Sequence, residues 1–147
     1  MEKKIKNIFI EGAIPPEKIA KSIAAHQSKT GIGGHCIFLG QVRADVVVDK
    51  TVQAIEYTAQ QAMANQLCHD IKERAFDKYP IHCMHIYHSL GTVAAGDLCF
   101  FVFVSASHRT DLYVALEEIV QEIKDRLPIF GKEIFEDATH QWKKNKN

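Results

Sequence analysis

His108 and Arg109 open the stretch from Ser105 to Phe135, Lys124 and Arg126 close the helical pattern inside it, and Lys132 follows a break at Pro128 and Gly131. A helix start already favours negative charge through its unpaired backbone N–H groups and its dipole, so His108 and Arg109 suit an anionic, phosphate-bearing ligand. Apolar residues at 112, 116, 119, 120, 123 and 127 repeat with the 3.6-residue period and define the buried face of this helix. At about 100° per residue, Lys124 falls on the edge of that stripe, where partial desolvation lowers the proton affinity of an ammonium. The stretch holds no serine in a nucleophile elbow, no cysteine–histidine pairing suggested by position, no carboxylate pair at a strand end and no metal cage. Chemistry at this place therefore needs a nucleophile that arrives with the substrate or a partner. Arg43 joins the set only if its strand lies beside residues 100–105.

The elements that must position these groups follow from periodicity. Ile5 to Ile10 alternates as a strand, and Pro15-Pro16 presets a helix carrying Ile19, Ala20, Ile23 and Ala24 to about His26. The glycines of TGIGG lead into a strand from His35 to Val42; a phosphate loop would instead follow a strand and open a helix. ADVVVDKT reads as a hairpin tip before a strand from Val52 to Tyr57, and Ala59 to Tyr79 as a helix with Met63, Leu67, Ile71 and Ala75 in register, stopped by Pro80. Two strands, Ile81 to Ser89 and Leu98 to Ser105, are joined by the turn residues of LGTVAAGD. CFFVFVSAS is nearly all apolar and fits a central strand buried on both faces. Glu133 to Trp142 reads as a short strand with an aromatic anchor, and KKNKN as a frayed tail. His82, His85 and His88 do not converge on one face of a strand, so they read as strand histidines rather than a metal site.

A chain of 147 residues suits one domain, residues 1–147, with a core large enough to need no staple. Lys plus Arg and Asp plus Glu both number 18, so no general field draws the chain to nucleic acid or membrane. The four cysteines are scattered without a CxxC pair and read as reduced structural thiols in a cytoplasmic protein. No window approaches 18 apolar residues, the span of a membrane helix. The fold class expected is α+β, with a mixed, mostly antiparallel sheet packed with helices.

FLGQVR at 38–43, IEYTAQQAM at 55–63, SLGTVAAGD at 89–97, VSASHR at 104–109 and EIKDRLPIFGKE at 122–133, in that order, resemble the catalytic large subunit of molybdopterin synthase, the MoaE family. The likeness covers about residues 35–136. It implies an α/β-hammerhead-like arrangement and a sulfurtransferase of molybdenum cofactor biosynthesis that converts cyclic pyranopterin monophosphate into the molybdopterin dithiolene. Sulfur would come from a small ubiquitin-like partner whose C-terminal Gly-Gly carries a thiocarboxylate, with the large subunit a homodimer inside a heterotetramer and no cofactor or metal required. By the resemblance, Gln41, Val42, Arg43, His108 and Arg109 correspond to substrate-anion contacts and Lys124 to the principal catalytic lysine.

One departure stands out. The family reads Pro-x-Trp-Lys-(Lys/Arg)-Glu after the helix, whereas this chain reads Pro128-Ile129-Phe130-Gly131-Lys132-Glu133, so the second active-site lysine aligns with Gly131. The reading favoured is that Lys132 reaches the site from the next position as a second catalytic lysine, helped by the backbone freedom of Gly131, with Gly131 and Glu133 among the substrate contacts. Strand alternation would otherwise turn it away; the alternative is a site that works with one lysine. The alternative to an enzyme is a ferredoxin-like module that binds a small anionic metabolite or mediates assembly, consistent with the strand and helix order after Val52.

Overall fold

The apolar run ending in Ser105 does form a strand buried on both faces, and the other elements are laid out around it. The computed structural model describes residues 4–144. In chain order the elements are β1 (Phe9–Glu11), α1 (Pro16–His26), β2 (Gly34–Gln41), β3 (Val46–Val47), β4 (Lys50–Ala59), α2 (Gln61–Lys78), β5 (Ile81–Ala94), β6 (Leu98–Ala106), α3 (Arg109–Arg126), β7 (Ile129–Phe135) and β8 (His140–Trp142). The sheet order is β2-β6-β5-β4-β7-β8, with β1 parallel to β5 and β3 paired with β4. The class is α+β, as the patterning implied.

Side chains alternate across a strand, and β6 uses both sides. Phe100, Val102, Val104 and Ala106 belong to the main core, which they share with Ala64, Cys68 and Ile71 of α2 and Leu112, Ala115, Ile119 and Ile123 of α3. Phe101 and Phe103 point the other way, into a smaller cluster with Ile14 and with Ile19 and Ile23 of α1. Both phenylalanines are fully buried; truncating either to alanine costs about 3–5 kcal/mol.

Several boundaries differ from expectation for local reasons. The first strand is shorter, because only residues 9–11 find a partner, alongside 88–90 of β5. The buried stripe of α2 is Ala64, Cys68, Ile71 and Ala75, while Met63 is exposed; the small residues let α2 approach the sheet. β5 runs on through Gly91 to Ala94, pairing first with β6 and then with β4. Gly91 makes that change of partner possible: it has φ +80°, and a Cβ there would meet the Glu11 carboxylate. The tight turn falls at Gly96 instead, at φ +93°. Glu133 to Trp142 is two strands, because Asp137 caps a turn by accepting from the Thr139 N–H at 3.0 Å and Ala138 takes a positive φ of 67°. The tail is not frayed at its start, since the Lys143 N–H donates to the Gly131 carbonyl at 2.8 Å; residues 145–147 lie outside the described residues. The ferredoxin-like order also fails. A split βαβ unit separates its two strands, whereas β4 and β5, joined by α2, are antiparallel neighbours.

The strand histidines have separate surroundings. His82 pairs with the Ser107 hydroxyl at 2.8 Å, at a slip in the β5–β6 register. His26 donates through Nδ1 to the Ser22 carbonyl, leaving its Nε2 to accept from His85 Nε2 at 3.0 Å. His88 donates through Nδ1 to the Ser89 carbonyl at 2.8 Å. Burial, reinforced at His85 by the Lys6 charge, holds both His85 and His88 down at about 4.

These two imidazoles generate a pH dependence. A depressed pKa means the unfolded chain, near 6.5, takes up protons that the folded chain refuses. Stability is then full above about pH 6.5 and falls as pH drops toward 4. The urea midpoint is expected to be lower at pH 5.0 than at pH 7.5, and His85→Gln to flatten that difference. A midpoint that is level across this window contradicts the assignment.

Candidate functional site

A cavity of about 610 Å³ opens at the C-terminal end of α3. Its walls come from four strands that the topology brings side by side: Gly40 and Gln41 from the end of β2, Cys99 and Phe100 from the start of β6, His88 from β5 and Tyr57 from β4. Ile123, Lys124 and Asp125 close it from the helix, and Phe130, Gly131, Trp142 and Lys143 from the β7–β8 side. Phe130 and Trp142 are 48% and 57% exposed, which leaves an aromatic rim around an interior that is part polar and part apolar.

Gly40 is required by close packing. A Cβ there would stand 2.9 Å from the Phe100 Cβ and 3.7 Å from Cys99 Sγ, so a side chain would push the β2 edge off β6. Tyr57 forms the floor: its ring meets His88 edge-on at 4.9 Å, and its hydroxyl hydrogen-bonds with the Cys99 thiol. Burial first, then Cys99 and the nearby Glu133, push the Tyr57 phenol far above its ordinary range, so it stays a neutral hydroxyl. His88 is likewise neutral at physiological pH.

Lys124 and Lys143 bring positive charge to this cavity and Asp125 a negative one. The Lys124 ammonium lies 5.9 Å from the Phe100 ring centroid. Desolvation in the cavity mouth lowers its pKa, the Lys143 ammonium lowers it further, Cys99 opposes, and Arg43 adds a smaller downward push. The direction is the one the edge-of-stripe position implied. The cavity sits at the negative end of the α3 dipole, which favours the ammoniums themselves rather than an anion. Attraction of an anion therefore falls to lysine and arginine, not to backbone N–H groups.

The candidate residues distribute unevenly about this cavity. Gln41, Lys124 and Gly131 line it. Arg43 lies just beyond, close enough to act on Lys124, with its guanidinium on Asp45 at 3.3 Å. Val42 is 1% exposed, and both its backbone groups are spent on the β5–β6 turn, to Asp97 at 3.0 Å and Gly96 at 2.8 Å; it positions Arg43 and does not line the cavity. Lys132 is turned away, as alternation requires: opposite Glu56 in the β4–β7 register, it pairs with that carboxylate at 3.7 Å. Glu133 is buried and accepts from Gln141 at 3.3 Å. His108 and Arg109 stand at the other end of α3, fifteen residues and so about 22 Å of helix from Lys124. The helix start foreseen as an anion site is thus not where this chain's cavity lies. Trp142 and Lys143 were missed, because the turn at Asp137 and Thr139 that folds them back was read as part of a strand.

The family model of the MoaE protein matches residues 13–126. The chain belongs to the MoaE family. Among curated relatives, the molybdopterin synthase catalytic subunit of Emericella nidulans is 31% identical over 82% of this chain and 62% of that protein. That of Pyrococcus abyssi is 34% identical over 76% of this chain and 74% of that protein. The chain therefore spans a little under two thirds of the fungal protein. Molybdopterin synthase from Staphylococcus aureus superposes with a TM-score of 0.81 at 26% identity, covering 97% of this chain and 100% of that one. A complex of subunits 1 and 2 of the molybdopterin-converting factor from Helicobacter pylori gives 0.80 at 19% identity, with 95% and 90% coverage, and shares the fold. The MoaE match stops at Arg126, before the β7–β8 hairpin that completes the cavity wall.

A lowered pKa makes Lys124 more nucleophilic than surface lysines at a given pH. In competitive labelling with an amine-directed reagent at pH 8, read by peptide mass spectrometry, Lys124 is expected to react ahead of the exposed Lys78, whose proton the Glu118 carboxylate retains. Equal labelling rates at the two positions would show that the cavity does not perturb Lys124.

Proposed function

We propose that this protein is the catalytic large subunit of a molybdopterin synthase, moving sulfur from a thiocarboxylated small partner to cyclic pyranopterin monophosphate and so building the dithiolene. The observation that carries this reading is the cavity at the end of α3, where Lys124 meets the Lys143 ammonium and the field of Arg43 inside an aromatic rim. Family membership and the names of the curated relatives support it. The partner is a ubiquitin-like protein whose Gly-Gly tail enters past Phe130 and Trp142, and the setting is the cytoplasm. Among the described residues no helix is long and apolar enough to cross a membrane.

The chain's groups suit that task without a nucleophile of their own. The thiocarboxylate sulfur is already a soft anion, so the protein must place it and neutralise charge. Lys124 is the residue placed to stabilise the phosphate oxygens, and its weakened hold on a proton fits it to donate one as the cyclic phosphate opens. Neutral Tyr57 and His88 offer hydrogen bonds without adding charge. His108 and Arg109 lie too far along α3 to reach the same ligand within one protomer; in the homodimer proposed here, a second copy supplies them.

Reconstitution with a thiocarboxylated partner and cyclic pyranopterin monophosphate is expected to yield dithiolene product. Lys124→Ala should cut the rate by about 10²–10³-fold, the effect of removing a charge-stabilising donor. Mixing inactive Lys124→Ala with inactive Arg109→Ala is expected to restore part of the activity, since mixed dimers hold one intact site. Full activity of Lys124→Ala would end its catalytic role, and failure of the mixture to recover would place Arg109 outside the site.

A further inference from the structure

The family's second lysine aligns with Gly131, and the structure shows why a side chain is unwelcome there. A Cβ at 131 would stand 3.0 Å from Ile55 Cγ2 and 3.2 Å from Tyr57 Cε1, tighter than relaxed contacts allow. The space is occupied by the Tyr57 ring, locked by His88 and Cys99. Lys132 cannot substitute, because it faces the opposite side of β7 and is paired with Glu56.

β8 brings another lysine to the same spot. It runs antiparallel to β7 in a register of Ile134 with His140, Glu133 with Gln141 and Lys132 with Trp142. The next pair in that series is Gly131 with Lys143, and the Lys143 N–H does donate to the Gly131 carbonyl at 2.8 Å. Directly opposed residues in an antiparallel pair project to the same face, with Cβ atoms about 4.5–5.5 Å apart. Lys143 accordingly lines the cavity beside Lys124.

We propose that Lys143 supplies the second ammonium of the anion site, replacing across the β7–β8 ladder the lysine that Gly131 lacks. The proposal rests on the sulfur-transfer reading for its substrate, a phosphate-bearing pterin, but its geometry is independent of that reading. Lys124 and Lys143 form a two-point clamp: the anion is held between ammoniums reaching in from the helix end and from the outermost strand. Repulsion between the two in the empty site is relieved when an anion binds, which makes binding itself raise the proton affinity of Lys124.

The test uses the full chain, with Lys143→Ala and the conservative Lys143→Arg, and two readouts. The first is dithiolene formation with the thiocarboxylated partner and cyclic pyranopterin monophosphate. The second is the titration of the Lys124 ammonium by NMR, with and without inorganic phosphate. Lys143→Ala is expected to lower product formation by about 10²-fold and to raise the Lys124 pKa, while Lys143→Arg keeps most activity. Unchanged turnover and unchanged Lys124 titration in Lys143→Ala would overturn the proposal and leave the sulfur-transfer reading intact. No product from the wild type, with the titration still responding to Lys143 and to phosphate, would overturn the sulfur-transfer reading and uphold the clamp.

Discussion

Burial of β6 on both faces is the constraint on which the rest depends. Phe100, Val102, Val104 and Ala106 must be covered by α2 and α3, and Phe101 and Phe103 by α1, so the helices cannot be exchanged or shifted without exposing phenylalanine. Because α3 follows β6 after a two-residue connection, it runs back across the sheet, and its last turn arrives over the start of β6. Cys99 and Phe100 thus meet Ile123 and Lys124 by topology. The cavity forms where the helix runs out and the sheet continues beneath it.

The electrostatics of that place follow from the partial desolvation of Lys124 and from the cations gathered near it. An ammonium at a helix C-terminus is favoured by the dipole, yet desolvation by the cavity walls, and after it the charges of Lys143 and Arg43, work against its charge. The neighbours that would make matters worse are silenced. His88 is kept neutral by burial, with the Lys124 charge itself contributing, and Tyr57 is kept protonated. What remains is a small set of cations facing neutral hydrogen-bonding groups, with Asp125 at the wall, and such a set has most to gain from an arriving anion.

Much of this was legible from the amino-acid pattern and some was not, for reasons that differ by element. The helical stripe of α3 and the place of Lys124 beside it are short-range properties with a strong period, and both hold. α2 misled in its first turn, where the sheet admits the small Ala64 and leaves Met63 exposed, while Leu67 packs at the edge of the core beside buried Cys68. β5 extended past its expected end because Gly91, normally turn chemistry, serves as a pivot between two partner strands. At the site, motif likeness gathered Arg43, His108, Arg109 and Lys124 into one list. Helix length alone separates His108 and Arg109 from Lys124 within one protomer, a rise per residue that was available beforehand. Lys143 demanded more: the Asp137–Thr139 turn, the register after it, and only then the face of each residue.

The difference between positions 131 and 143 shows what a site requires of a sequence. An ammonium acts by where its nitrogen sits, and two residues opposed across an antiparallel ladder present their side chains to nearly the same volume. Twelve residues of chain separate Gly131 from Lys143, yet one backbone hydrogen bond joins them. A lysine on β7 must compete with Tyr57 for room, since Ile55 and Tyr57 already crowd the Gly131 Cα. A lysine just past the end of β8 approaches from the open rim and leaves that packing undisturbed. A glycine at the expected lysine position is therefore no sign of a decayed site: the strand register, not the linear motif, decides which charges reach the cavity.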